Sequence, residues 1–311
     1  MQLLGIALGG WVAILWGTAD SMATLSTRRL TTFTTTFISQ LSGLLVLTIT
    51  LLLFLWFRPD VTFTIASNAL YIGAATGVLT AVGYLFLYRA LALGPVAITS
   101  PISSTSAVVT LLLSMFILNE QIAFLDGIAL AAVIIGVLLA SIDGRGIGML
   151  LKQKPLALLS GRGIPWAFMT AITFGLVDIG IGGASPVQGW FVPAFFTFIF
   201  STLVLAVLLL VRHILRNSRK TLSLHPVSDS RYPVGVLFAA VAGILECLAI
   251  LTFGMATQII KPGVTATIAS NYSLIAILFG VFILRERLIA NQKLGIGIVM
   301  CGLTAFAILH L

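Results

Sequence analysis

Apolar residues run along this chain in ten long stretches separated by short polar or glycine-rich breaks. Crossing about 30 Å of hydrocarbon takes about 20 mostly apolar residues in a helix. Stretches at 3–24, 33–57, 67–92, 95–118, 122–141, 164–182, 190–214, 233–257, 262–284 and 288–310 meet that length. Gly, Pro, Asn or a charged residue marks most of their ends. The first stretch, "MQLLGIALGGWVAILWG", has no basic leader and is long for a signal sequence, so it reads as span one. The pattern predicts an all-α, polytopic membrane protein with ten transmembrane helices.

The pattern also repeats. "ILWGTAD" (14–20) aligns with "ITFGLVD" (172–178), setting Gly17 against Gly175 and Asp20 against Asp178, an offset of 158. "LNEQIAFLDGIALAAVIIG" (118–136) aligns with "LRERLIANQKLGIGIVMCG" (284–302) at an offset of 166, pairing Glu120 with Glu286. The longer offset also pairs Gly73, Gly77 and Ala81 with Ala239, Gly243 and Cys247, small residues at the spacing that lets membrane helices approach closely. The expected organisation is a first five-helix repeat over 1–143, a linker over 144–163 and a second repeat over 164–311. A repeat of five spans ends on the side opposite its start, so the second copy is inverted, the plan of many secondary transporters.

Composition agrees. Of 311 residues, 59% are hydrophobic and 8% charged, with a mean hydropathy of +1.15. Soluble domains carry about 25% charged residues, so that class is excluded. The net charge of +8 does not point to nucleic acid, because the basic residues lie in the short loops. Fifteen of the 17 Lys and Arg follow odd-numbered spans; only Arg58 and Lys261 follow even ones. Basic loops stay cytoplasmic, so both termini are expected outside.

Little soluble-enzyme chemistry survives. His213, His225 and His310 are scattered, "GRGIG" (144–148) does not complete a dinucleotide loop, and Cys247 and Cys301 fit no disulfide or zinc spacing. The expectation is a non-enzyme without cofactor or metal.

The polar residues inside the spans carry the functional reading. From Val234 to Met255 the only charged side chain is Glu246. An acid at mid-membrane costs roughly 2.5–3.5 kcal/mol on insertion scales and usually faces a watery cavity or the bundle interior. Glu246 is therefore a candidate counter-ion for an amine or a candidate proton-coupling group; its bland alternative is a hydrogen bond to a neighbouring helix. Its repeat counterpart, Thr80, is also polar. Asp20 and Asp178 are candidate cavity residues by their symmetry. "TSPISSTSAVVT" (99–110) and "TATIASNYS" (265–273) cluster polar groups at equal depth, with Ser104 against Ser270 and Thr105 against Asn271. Pro101 is expected to kink span four. The predicted substrate-binding set is Glu246, Ser104, Thr105, Ser270, Asn271, Tyr272, Asp20 and Asp178, with Trp16 and Tyr84 as aromatic walls. Glu120 and Glu286 are expected to cap the helices that follow them, and Arg89 to snorkel.

Ten spans, "WGTAD" in span one, the "LNE" and "LRE" corners and the glycines of spans five and ten resemble the drug/metabolite transporter superfamily, specifically its EamA-type carriers. The resemblance covers nearly the whole chain. It implies a secondary carrier of the inner or plasma membrane, with a central cavity between the halves, formed here by spans one, three, four, six, eight and nine. Such carriers export amino acids, other small metabolites or toxic compounds, and relatives in the wider superfamily move sugars or phosphorylated compounds. Many members carry basic N-termini inside; this chain does not. Glu246 lies outside the motif. The spans hold no positive clamp for a phosphate, so the expected cargo is a small polar metabolite, an amino acid or related amine-bearing compound, exported by alternating access with protons as the candidate coupling ion. Multidrug or cationic-compound efflux is the rival reading within transport, and a membrane scaffold or sensor the rival outside it.

Overall fold

The computed structural model describes residues 1–57, 68–119, 124–141, 163–218 and 231–309. Spans one to three are the helices Gln2–Thr27, Thr32–Phe57 and Ala69–Leu93. Span four is broken into Val96–Ser103 and Ser106–Ile117, and span five is Phe124–Ser141. Spans six to eight are Ile164–Gln188, Phe191–Ser218 and Arg231–Thr257. Span nine is broken into Pro262–Ala269 and Tyr272–Leu278, continues as a π-helical turn over Phe279–Ile283, and is followed by span ten, Ala290–Leu309. Eight of these spans are long and apolar enough to cross a membrane by length and composition, and the helices at Phe124–Ser141 and Ala290–Leu309 complete five in each half. Large apolar side chains such as Leu52, Trp56, Phe116, Leu210 and Phe282 point outward, as they must when the surrounding medium is lipid.

The two halves are interleaved. Span one packs along span eight and span six along span three; span two packs along span eight and span seven along span three; spans five and ten pack on each other. Adding five to each span number turns every one of these pairs into another of them or into itself. That is the signature of a two-fold axis, and with five spans per half the axis lies in the membrane plane.

Glycine contacts show that the register holds to the residue. A Cβ on Gly17 would collide with Ile275 and the Tyr272 carbonyl; one on Gly175 would collide with Val109 and the Ser106 carbonyl. Gly17 and Gly175 differ by 158, whereas Ile275 and Tyr272 differ from Val109 and Ser106 by 166. The change of offset falls between spans seven and eight.

Both broken spans break at the same place. Ser104 and Thr105 lie between the two helices of span four, and Ser270 and Asn271 between those of span nine. Pro101 is not the cause common to both, because span nine has no interior proline. The common feature is side chains that return to their own backbone. Ser104 Oγ donates to the Pro101 carbonyl at 2.8 Å and Thr105 Oγ1 to Ile102 at 2.6 Å; Ser270 Oγ donates to Thr267 at 2.6 Å and Asn271 Nδ2 to Ile268 at 3.1 Å. Such bonds compete with the helical ladder and tighten it to a single i→i+3 turn.

Two local expectations need correction. Glu286 does not cap the helix after it. Arg285, at a left-handed φ of 56°, turns the chain so that Glu286 reaches the other half. There its two carboxylate oxygens accept the Val96 and Ala97 N–H groups at 2.9 Å each, with Arg28 Nη2 3.6 Å away. It thus caps span four, where those amides have no helical acceptor. Asn119, 166 residues earlier, holds the same left-handed turn at φ 53°; Glu120 lies outside the described residues. Span six also runs past Gly182, its expected end, because the bare Cα there lies against the ring of Pro262. Arg89 is exposed at the end of span three.

Candidate functional site: a cavity on the two-fold axis

A cavity with an empty volume of about 560 Å³, its mouth included, opens where the halves meet. Its walls come from spans one, three, four, six, eight and nine. They are largely matched pairs across the axis: Trp16 and Phe174, Asp20 and Asp178, Tyr84 and Ile250, Leu87 and Phe253, Ser106 and Tyr272. Thr80, Val177 and Ile181 complete them.

The walls are apolar and aromatic. Trp16 lies 5.8 Å from Phe253 and edge-on to Tyr272 at 6.0 Å, ring centre to ring centre; Tyr84 meets Phe174 edge-on at 4.7 Å. The chemistry is concentrated in the two aspartates. Each is nearly buried, and each receives one long contact from a span-four hydroxyl: Ser100 Oγ donates to Asp20 Oδ2 at 3.5 Å and Thr110 Oγ1 to Asp178 Oδ2 at 3.3 Å. No Lys or Arg is among the lining residues. Two further wall atoms, Trp16 Nε1 and Thr80 Oγ1, are buried without a hydrogen-bond partner.

Of the ten residues singled out from sequence, Trp16, Asp20, Tyr84, Asp178 and Tyr272 line this cavity. Ser104, Thr105, Ser270 and Asn271 sit at the helix breaks with their side chains turned to their own carbonyls. Glu246 lies one layer behind the wall. Gln40 Nε2 donates to its Oε1 at 2.5 Å, Ser39 Oγ to its Oε2 at 3.1 Å, and the Tyr88 hydroxyl approaches Oε2 at 3.5 Å. Ser201 Oγ in turn donates to Gln40 Oε1 at 2.8 Å. Glu246 is therefore the hub of a buried network joining spans two, three, seven and eight. Tyr84 of the wall also hydrogen-bonds Glu246 and lies 5.6 Å from Tyr88 between ring centres, which ties this network to the cavity.

Sequence reasoning misses Phe174, Ser106, Phe253 and the partners of Glu246. The first two have a signal: the repeat offsets carry Trp16 onto Phe174 and Tyr272 onto Ser106. Ser39 and Gln40 have none beyond being polar residues in span two.

A ten-helix bundle of inverted repeats around a central cavity is the plan of many membrane carriers. Residues 3–142 and 161–308 match the EamA-like transporter family, and the chain belongs to that family. A solved structure titled only as the crystal structure of a protein shares the fold over 98% of this chain and 96% of its own, with a TM-score of 0.66 at 17% identity. No curated protein matches the chain significantly. The protein is thus a multi-pass membrane transporter.

Proposed function

We propose that the protein exports a small amine-bearing metabolite as a secondary carrier, with the two halves rocking about the cavity. The observation that carries this reading is the pair Asp20 and Asp178, two carboxyl groups in an aromatic cavity with no Lys or Arg among its lining residues. A cargo that brings its own positive charge supplies the missing partner. The rings of Trp16, Tyr84, Phe174, Phe253 and Tyr272 add quadrupole attraction for the same charge. A phosphorylated or carboxylate-only cargo finds no cation there. The axis through the cavity presents one aspartate from each half, as expected of a site that serves two opposite-facing states. The excess of Lys and Arg after odd-numbered spans supports both termini outside.

The test is metabolite profiling of the medium. Cells overproduce the native protein or Asp20→Asn/Asp178→Asn, with membrane levels matched. One or a few amine-bearing compounds should accumulate outside with the native protein only. Equal accumulation with both proteins would remove the aspartates from the mechanism. An unchanged medium would remove export, and broad protection against many unrelated cationic drugs would move the reading to multidrug efflux.

A further inference from the structure

We infer that Glu286 is a one-sided latch: it holds shut the end of the cavity at which Arg28 lies, so the resting carrier opens more readily at the opposite end. The latch presupposes the rocking of the halves, the alternating-access part of the proposed function, and not the identity of the cargo.

Between the cavity and that end lies an apolar plug. Tyr84 and Leu87 of the cavity wall pack in one cluster with Ala23, Tyr88, Leu91 and Val96, and these last four are at most 1% exposed. Val96 is also one of the two residues whose N–H groups Glu286 binds. Plug and clasp therefore share a residue. A cargo leaving at this end must part spans one, four and nine, which the clasp ties together through Arg28, Val96, Ala97 and Glu286. A carboxylate on two backbone N–H groups at a helix N-terminus makes strong, charge-assisted bonds. The Glu286 side chain is only 10% exposed, so water weakens them little.

The two-fold axis shows that the same clasp cannot be built at the other end. Val96 corresponds to Pro262, which has no N–H, and Arg28 to Pro186, which has no charge. Gly280 corresponds to Ser114. A Cβ on Gly280 would stand 2.7 Å from Glu286 Oε2, so the carboxylate occupies space that a glycine leaves free. The last turn of span nine is π-helical, with Leu284 N–H donating to the Phe279 carbonyl at 3.1 Å, and Glu286 N–H reaches back to the Gly280 carbonyl at 3.0 Å. Span four ends instead as an ordinary α-helix, with Leu118 N–H donating to the Ser114 carbonyl. Single π-helical turns recur at functional sites. Plain helix capping does not require these four departures from the repeat, all serving one end. A latch on one side of an otherwise symmetric carrier does.

The test is thiol labelling of the purified full-length protein in lipid nanodiscs, with Cys247 and Cys301 both replaced by Ala. The reporter is Ala23→Cys, in the plug. The reagent is 2-(trimethylammonium)ethyl methanethiosulfonate, a cation that a closed apolar plug excludes. Labelling should be slow with Glu286 in place and at least about tenfold faster in Glu286→Ala, which loses two bonds to a charged group. Arg28→Gln removes a half-exposed partner at 3.6 Å and should raise the rate no more than about threefold. Ala249→Cys, fully buried at the middle of span eight, reports general loosening and should stay unlabelled throughout. A disulfide supplies the converse. A Cβ on Gly280 lies 3.3 Å from that of Ala97, close to the separation a disulfide spans. In the Glu286→Ala reporter, adding Ala97→Cys/Gly280→Cys should return labelling to the slow rate when oxidised and release it when reduced. Labelling of Ala23→Cys that is unchanged in Glu286→Ala, that rises equally at Ala249→Cys, or that persists with the disulfide closed overturns the latch. Each of these outcomes leaves the amine reading standing, since no cargo is used and profiling of the medium decides that reading separately.

Discussion

Asp20 and Asp178 on one side, and Glu246 on the other, are acids placed inside membrane spans, and their surroundings differ. Glu246 accepts from Gln40 and Ser39, and Gln40 is itself held by Ser201, so its oxygens are occupied by neutral donors from a neighbouring span. Each cavity aspartate has a single long hydroxyl contact and lines the cavity. An acid whose acceptor capacity is filled by its own fold contributes to position and stability. An acid left short of donors is free to take them from a cargo. By this criterion we propose that the lone glutamate in an apolar span, the sharpest signal in the sequence, supports the site from behind, and that the less conspicuous aspartates meet the cargo.

The largest effect expected from this difference is on transport. In an export assay with matched membrane levels, Asp20→Asn should lower the initial rate about 100-fold, since the charge that meets the cargo is lost. Glu246→Gln should stay within about threefold of the native rate, because an amide oxygen still accepts from Gln40 and the amide N–H₂ can donate to Ser39 or Tyr88. Equal losses in the two variants would erase the distinction between the two kinds of acid.

Stability should rank them the other way. Glu246→Leu strips the acceptor from Gln40 Nε2, which then costs about 1–3 kcal/mol as an unsatisfied buried donor, while Ser39 Oγ keeps the Tyr88 hydroxyl at 3.1 Å. Thermal unfolding in detergent should show a clear drop in Tm and lower accumulation in the membrane. Asp20→Leu removes an acid with one weak bond and fills apolar space, so its Tm should match or exceed the native value, as happens where function and stability compete. A fall in Tm for Asp20→Leu as large as that for Glu246→Leu would show the aspartate to be structural as well.

What is legible in the sequence depends on the kind of signal each feature carries. Spans are read from runs of apolar residues, which is why nine of the ten begin and end within a few residues of the expected stretches. Span six is the exception, because the glycine that suggests its end makes a close approach to Pro262. The repeat is legible because Asp20 and Asp178 sit in matching motifs. Which polar residue faces which is not, since hydropathy says that a side chain is polar and nothing of what it touches. Glu246 stands out as an anomaly, but its partners come from spans two and three, about 206 and 158 residues away in the chain. Ser104, Thr105, Ser270 and Asn271 show the same limit. Their depth is evident in the sequence, and their preference for their own carbonyls over a cavity is not.

Those four residues supply the smallest and most discriminating effect. If their role is to close the tightened turn in spans four and nine, each contributes a backbone-directed bond that a regular helix does not need. Ser104→Ala and Asn271→Ala remove the side-chain bonds at 2.8 Å and 3.1 Å and let the ladder straighten. The expected change in stability is under about 1 kcal/mol per site, the net worth of a typical hydrogen bond, and the apparent affinity for cargo should hold within about twofold, since neither side chain lines the cavity. What should change is the rate of turnover, because the broken helices are where one half can bend against the other. A tenfold loss of affinity at unchanged turnover would place these residues among the cargo's ligands and move the boundary of the site outward from the aspartates to the helix breaks.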